Sequence, residues 1–157
     1  MQERETLPSG IQKHLAEHVA LYKRDPERAH WWDSSVIGIP GPVRTLLLST
    51  TGRKSGEERY VTLQYFTPGD KYVVVGSKGG VAAHPAWYLN LLETRRCHIQ
   101  VGAFSSWVEA RVASGVEYTA LWEHVSREQP QYKKYQAKTA RQIPIVILEL
   151  TGNESAS

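Results

Sequence analysis

Apolar positions recur at a spacing of four near the start of the chain, then give way to short runs and alternations. Ile11, Leu15 and Val19 share one helical face, which predicts a helix over residues 9–23. Asp25-Pro26 ends it. Residues 27–42 show no period and gather Gly38, Pro40, Gly41 and Pro42, as expected of an irregular arm and linker. From there the pattern is mainly that of strands, predicted over residues 43–50, 59–66 and 71–77. Thr51-Gly52-Arg53-Lys54-Ser55-Gly56-Glu57 forms the first turn between them and Pro68-Gly69-Asp70 the second. Lys78-Gly79-Gly80 breaks the third strand, and His84-Pro85 opens a helix to about Glu93, with proline in the first turn. Strands follow over residues 97–101 and 105–113. In the latter Val108, Ala110 and Val112 face one way and Trp107, Glu109 and Arg111 the other. A helix over residues 116–127 and an apolar strand over residues 143–150 complete the pattern.

Short strands joined by tight turns, without regular alternation with helices, argue for an α+β, mainly β chain whose antiparallel sheet closes wholly or partly into a barrel. The expected division is an N-terminal helix and arm (1–42), the barrel with two or three inserted helices (43–150) and a tail (151–157).

Composition narrows the class. A length of 157 residues suits one domain, and 19 cationic against 16 acidic side chains leave a net charge of +3, too little to argue for nucleic acid. Cys97 is the single cysteine, which excludes a disulfide framework and a zinc site of the Cys-x-x-Cys type. No apolar run reaches the ~18 residues of a membrane span, and no apolar signal core follows the charged start, so a cytoplasmic protein is expected.

Most catalytic signatures are missing: there is no Gly-x-Gly-x-x-Gly, no P-loop and no Gly-x-Ser-x-Gly elbow. His14-Leu15-Ala16-Glu17-His18 matches the inverted zinc-protease pattern His-x-x-Glu-His. It lies on an amphipathic helix beside an ordinary apolar stripe, and no third ligand is evident, so no metal is expected. Cys97 reads as a strand cysteine, not a nucleophile.

Three segments carry the informative chemistry. In Gly52-Arg53-Lys54-Ser55-Gly56, followed by Arg59, two glycines bracket two cations, a pattern that suits an anion as well as a solvated hairpin tip. Gly76-Ser77-Lys78-Gly79-Gly80 ends a strand just before a helix start that carries Trp87 and Tyr88. The run from Gln131 to Arg141 holds Lys133, Lys134, Lys138 and Arg141 with Tyr132 and Tyr135 and no acid. Together they suggest a phosphate-bearing aromatic cofactor without specifying which.

Thr51-Gly52-Arg53-Lys54-Ser55-Gly56-x-x-Arg59, Ser77-Lys78-Gly79-Gly80 with Pro85-Ala86-Trp87-Tyr88-Leu89-Asn90-Leu91, and Tyr132-x-x-Tyr135-Gln136-x-x-Thr139-x-Arg141-x-Ile143-Pro144 run in that order. The combination resembles the deazaflavin-dependent nitroreductase family. The resemblance implies a split antiparallel β-barrel of the FMN-binding type. It implies reduced 8-hydroxy-5-deazaflavin, coenzyme F-420, as hydride donor to a quinone such as menaquinone or to a nitroaromatic. On this resemblance Arg53, Lys54, Ser55 and Arg59 hold the phosphate and acidic tail, and Tyr60, Val61, Thr62, Leu63 and Gln64 run along the ring. Val75, Gly76, Ser77 and Lys78 line the ring's polar edge, and Ala86, Trp87, Tyr88, Leu89 and Asn90 close the pocket. Tyr132 and Tyr135 face the substrate, and Tyr135, Tyr132 and Ser77 are the candidate catalytic donors, Tyr135 first. Two positions depart from the family pattern, where Gln64 and Gln129 stand in place of aromatics near the substrate side. The competing expectations are FMN on the same barrel and a non-redox carrier of a lipid or apolar ligand. Peripheral membrane contact through the N-terminal helix and a homodimer are further expectations. Nucleic acid is not expected as a partner.

Overall fold

A computed structural model of the chain describes residues 7–37, 39 and 41–151. The charged start (1–6), Gly38 and Pro40 of the linker and residues 152–157 of the tail lie outside the described residues. Within them run helices α1 (Ser9–Arg24), α2 (Pro26–His30), α3 (Ala86–Glu93), α4 (Gly115–Glu128) and α5 (Gln131–Ala137). The strands are β1 (Trp31–Trp32), β2 (Val43–Thr51), β3 (Glu58–Gln64), β4 (Tyr72–Val75), β5 (Arg96–Val101), β6 (Phe104–Val112) and β7 (Ile145–Leu150).

Every strand pairing is antiparallel. The hydrogen-bonded path β2-β5-β6-β7-β4 carries β3 on the free side of β2. Just past β3, Phe66 pairs with Val73 of β4 through bonds of 2.9 and 2.8 Å, and this single bridge brings the ring back on itself. The result is a sheet curled into a split barrel, with its seam between β3 and β4.

Strands β2, β4 and β7 are the most apolar because the sheet is covered on both faces along them, whereas β6 alternates between buried and exposed positions. Leu46 and Leu48 of β2 point into the barrel with Ile99, Val108, Val146 and Leu148. Leu47 points the opposite way, under Tyr22 and Ala29. Val73, Val75, Ile145 and Ile147 turn from the barrel interior toward Val125, Tyr132 and Tyr135 of α4 and α5. Two-sided burial explains why β7 reads as an unbroken apolar run.

The segment expected to be an irregular arm is ordered and docked. Asp25 and Pro26, which stop α1, also start α2: the Asp25 carboxylate accepts the Arg28 N–H, and Pro26 takes the first-turn position where no N–H is needed. β1 then pairs with the start of β2, Trp31 opposite Arg44 and Trp32 opposite Val43. The tie to the barrel is polar as well as apolar. The fully buried Tyr22 hydroxyl donates to the Thr45 carbonyl at 2.7 Å and accepts the Gly102 N–H at 3.0 Å.

Three further expectations shift. Pro85 is the N-cap of α3, one residue before the first turn. Val112 lies at the end of β6 and is 40% exposed, so only Val108 and Ala110 of the predicted inward triplet are buried. The basic stretch after Pro130 is helical as far as Ala137, with its two tyrosines buried.

Candidate functional site

An elongated cleft of about 970 Å³ opens between β3, the end of β4, the start of α3, α5 and the N-terminal helix. That is the upper part of the range that small-molecule sites occupy. One end is cationic. Arg53, Lys54 and Arg59 line it, with Lys78 and Lys138 further along, and no carboxylate is among the described lining residues. The other end is apolar and aromatic, walled by Trp32, Val43, Tyr132 and Tyr135.

The cationic end is built on the β2–β3 turn. Gly52 donates to the Glu57 carbonyl at 2.7 Å, and Gly56 donates to the Gly52 carbonyl at 2.8 Å with φ +75°. A Cβ at Gly52 would lie 2.8 Å from the Ser55 hydroxyl, so this tightness requires glycine. Asn90 anchors the turn from α3. Its buried side-chain carbonyl accepts the Arg53 N–H at 3.1 Å and the Arg53 guanidinium at 3.3 Å, while its amide donates to the Thr50 hydroxyl at 3.0 Å. Arg59 is exposed, 3.5 Å from Glu57 and hydrogen-bonded to Ser55.

β3 supplies one long wall through Tyr60, Val61, Thr62, Leu63 and Gln64. The Tyr60 hydroxyl donates to Glu58, and its ring lies under Lys23 Nζ at 3.6 Å. Val75, Ser77 and Lys78 line the cleft from the end of β4. From α3, Ala86, Trp87 and Asn90 face inward. This is one helical face, because residues at i, i+1 and i+4 cluster together. For the same reason Tyr88 and Leu89 do not line the cleft, and Tyr88 packs beside His84 and Trp87 instead. Gly76 is also outside the lining: a Cβ there would meet Pro144 Cγ at 2.8 Å, behind the wall.

Tyr132 and Tyr135 come from α5 with their rings 6.3 Å apart, both buried against the core and both on the cleft. Burial pushes both phenols above their ordinary value, while the Gln131 side chain opposes the shift at Tyr135. The hydroxyls of Ser77 and Tyr132 make no hydrogen bond with any described residue. Gln64 and Gln129, distant in sequence, meet at this end, and the Gln129 amide donates to the Gln64 side-chain oxygen at 3.3 Å.

The lining also includes residues outside the predicted set. Leu7, Ile11 and Leu15 bring the N-terminal helix to the rim, and Trp32 and Ile39 come from the linker. The Ile11/Leu15 stripe was visible as periodicity, but nothing local told that it borders a cleft. The two histidines of the zinc-like pattern lie apart from this site's polar groups. His14 sits 3.7 Å from Glu17 on the surface. The buried His18 ring stacks on Trp32 at 4.7 Å, with Nε2 2.9 Å from the Ala29 carbonyl. Burial drives the Cys97 thiol up to about 12, the chemistry of a core cysteine.

Such a cleft suits a large planar ligand with an anionic tail. Cations and a hydroxyl gather at one end. Aromatic faces and the buried phenols of Tyr132 and Tyr135 lie at the other. These residues therefore fit a phosphate-bearing, flavin-like group, and the fold and cleft together define a split-barrel protein with a site for such a cofactor.

Comparison with known proteins narrows the class. The family model for F420H(2)-dependent quinone reductase matches residues 35–150. An F420H(2)-dependent quinone reductase of Mycobacterium tuberculosis (strain ATCC 25618 / H37Rv) is 39% identical over 113 residues, spanning 70% of this chain and 76% of that protein. A solved F420-H2 dependent reductase, FDR-A, superposes with a TM-score of 0.62 at 39% identity, covering 67% of this chain and 93% of the other. A solved domain-swapped dimer gives the same TM-score and identity, over 67% of this chain and 79% of that one. The chain belongs to the F420H(2)-dependent quinone reductase family, an oxidoreductase family whose cofactor is coenzyme F-420. This match lends no support to the FMN alternative. Among the described residues no helix is long and apolar enough to cross a membrane.

Proposed function

We propose that this protein reduces a quinone, with nitroaromatics as a second acceptor class, using reduced coenzyme F-420 held in the cleft. The observation that carries the reading is the polarity of the cleft: five cations and no carboxylate among its described lining residues, with tyrosines and tryptophan opposite. When bound, the reduced deazaflavin supplies a hydride, and conversion of the quinone to its hydroquinone requires one further proton.

The chain's own residues do the rest. Arg53, Lys54, Ser55 and Arg59 bind the anionic tail, and Asn90 holds Arg53 in place. The β3 backbone from Tyr60 to Gln64 and the residues Val75, Ser77 and Lys78 orient the ring, which Ala86 and Trp87 cover. Tyr132 and Tyr135 wall the acceptor side. Burial keeps both phenols protonated at neutral pH, so each remains a donor to a developing oxyanion. Tyr135 is the first candidate for that bond, with Tyr132 and Ser77 beside it. Gln64 and Gln129 give this wall an amide pair, which favours an acceptor bearing carbonyl oxygens.

Fluorescence titration of the protein with coenzyme F-420, with FMN in parallel, tests the reading. Tight binding of the deazaflavin and turnover of a soluble quinone are expected, and Tyr135→Phe should lower kcat while leaving the cofactor Kd unchanged. Binding of neither cofactor would refute the redox reading and leave the apolar-ligand carrier. Two finer parts belong to the same proposal. Ile11 and Leu15, only partly buried at the cleft rim, support contact of this stripe of α1 with a membrane surface, which fails if Ile11→Asp leaves liposome co-sedimentation unchanged. A homodimer is supported by the dimeric solved neighbour, and a monomeric mass by light scattering would remove it.

A further inference from the structure

Arg141 ends the basic run that begins at Gln131, yet its guanidinium is half-buried and turned inward. Nε donates to the Val81 carbonyl at 3.0 Å, Nη1 to the Gly76 carbonyl at 3.1 Å and Nη2 to the Ser77 carbonyl at 2.7 Å. Nη1 also lies 3.3 Å from His84 Nδ1. Every one of these partners is neutral when His84 is neutral, and no carboxylate pairs with Arg141 among the described residues.

The three carbonyls belong to a single turn at the end of β4. That turn passes through the left-handed region at three consecutive residues, Lys78 (φ +46°), Gly79 (φ +64°) and Gly80 (φ +81°). Left-handed backbone at a lysine is unfavourable and persists only where surroundings impose it. The Ser77 carbonyl also accepts the Gly80 N–H inside the turn at 2.9 Å, and the rigid fork of Arg141 N–H donors gathers it with the Gly76 and Val81 carbonyls on either side. Gly80 presses on α5, since a Cβ there would stand 2.7 Å from the Tyr135 carbonyl.

Arg141 is itself held. The Gln136 side chain on α5 accepts the Ile143 N–H at 2.9 Å and donates to the Arg141 carbonyl at 2.7 Å. The Thr139 hydroxyl accepts the Arg141 N–H at 3.3 Å. The helix that carries Tyr132 and Tyr135 is thus tied through Gln136 and Arg141 to the turn that carries Ser77 and Lys78. The two sides of the cleft that must face each other across ring and acceptor share this one strut.

We propose that Arg141 is a positioning residue for hydride transfer: its guanidinium sets the 76–81 turn, and with it Ser77 and Lys78, against the α5 tyrosines. An unpaired cation behind Ser77 also raises the potential of that wall, favouring an electron-rich ring edge there. The role in transfer rests on the proposed function; the hold on the turn does not.

The test uses the full chain carrying Arg141→Lys, which keeps the charge and loses the fork, and Arg141→Gln, which loses both. Amide hydrogen exchange of residues 76–81 is measured without cofactor. Cofactor Kd is then measured by fluorescence titration, and kcat and KM with a soluble quinone. For Arg141→Lys the expected result is faster exchange at 76–81 with β5 and β6 unchanged, and a cofactor Kd weakened on the order of tenfold or more. In a third variant, Arg141→Ala, which opens the space of the side chain, millimolar guanidinium ion should partly restore Kd. Wild-type exchange at 76–81 in Arg141→Lys overturns the hold on the turn. Faster exchange with unchanged Kd and kcat overturns the link to the site. Should wild-type protein bind no deazaflavin, the proposed function fails, while the exchange comparison still decides whether Arg141 holds the turn. Arg141→Lys carries the decision if Arg141→Gln does not fold.

Discussion

Asn90 is the perturbation that best separates the architecture of the anion end from its use. Its side chain makes three bonds at once, to the Thr50 hydroxyl, the Arg53 N–H and the Arg53 guanidinium. Asn90→Ala removes all three. The Thr50 hydroxyl is buried and loses its donor, at a cost of about 1–2 kcal/mol, and the Arg53 N–H contributes about 1 more. The guanidinium is exposed enough to return to water, so its bond adds little to stability. The sum of about 2–3 kcal/mol lowers Tm by roughly 4–12 °C for a chain of this size. The separate effect is on binding. An Arg53 no longer pre-positioned must be ordered when the cofactor tail arrives, at about 0.5–1.5 kcal/mol, which is roughly a 2- to 13-fold weaker Kd. Asn90→Asp keeps both acceptor bonds to Arg53 and restores most of Tm, but it places a carboxylate at the anion end and weakens Kd further. Differential scanning fluorimetry and the deazaflavin titration read the two effects. A large fall in Tm with Kd unchanged in both variants would refute the placement of the tail at Arg53.

The remaining predictions concern the fold, its pH response and acceptor choice. Tyr22→Phe strands the Thr45 carbonyl and the Gly102 N–H in a fully buried site, so urea denaturation should show a loss of about 2–3 kcal/mol in one transition. A separate early transition of α1 would contradict the docked arm. Burial lowers His18, and also His30, His84 and His98, below the ordinary imidazole value. The unfolded chain then binds more protons, so stability is complete above about pH 6.5 and falls as pH drops below it. His18→Gln, which keeps a donor for the Ala29 carbonyl, should flatten part of that slope in urea midpoints measured from pH 7.5 to 5. Gln129→Leu leaves the Gln64 oxygen without its donor and frees the Gln64 amide, which lines the cleft, to turn. KM for a polar quinone should rise several-fold relative to an alkyl-substituted one, and an unchanged ratio would remove the pair from acceptor choice.

Much of the barrel is visible before folding because local rules agree there. Apolar and β-branched runs punctuated by Gly and Pro mark β2 to β7 closely, since burial on one or both faces demands the same residues that strand propensity favours. The parts that read poorly are those whose order comes from elsewhere. α2 and β1 are short, and no periodicity can build up over five and two residues. α5 is a seven-residue helix with no apolar period of its own: Lys133 and Lys134 are exposed, whereas Tyr132 and Tyr135 on its other face fill the cleft wall. Tyr88 and Leu89 sat in the right motif but off the lining, because a helix turns about 100° per residue and a motif is written as a line.

Residue types alone marked the Gly52–Gly56 turn as suited to an anion as well as to a hairpin tip, because glycine permits a tight backbone there and cations attract phosphate. They also carried the family motif, the antiparallel class and the lack of any metal or disulfide framework to expect. What no local pattern contained was partnership across the chain. Asn90 meeting Arg53, Gln64 meeting Gln129, Tyr22 spanning Thr45 and Gly102, and Arg141 reaching back to Gly76 each join residues between 23 and 80 positions apart. Hydrogen bonds and contact forces act over a few ångströms of space and take no account of separation along the chain. Such pairs exist only once the barrel has closed and brought its walls together.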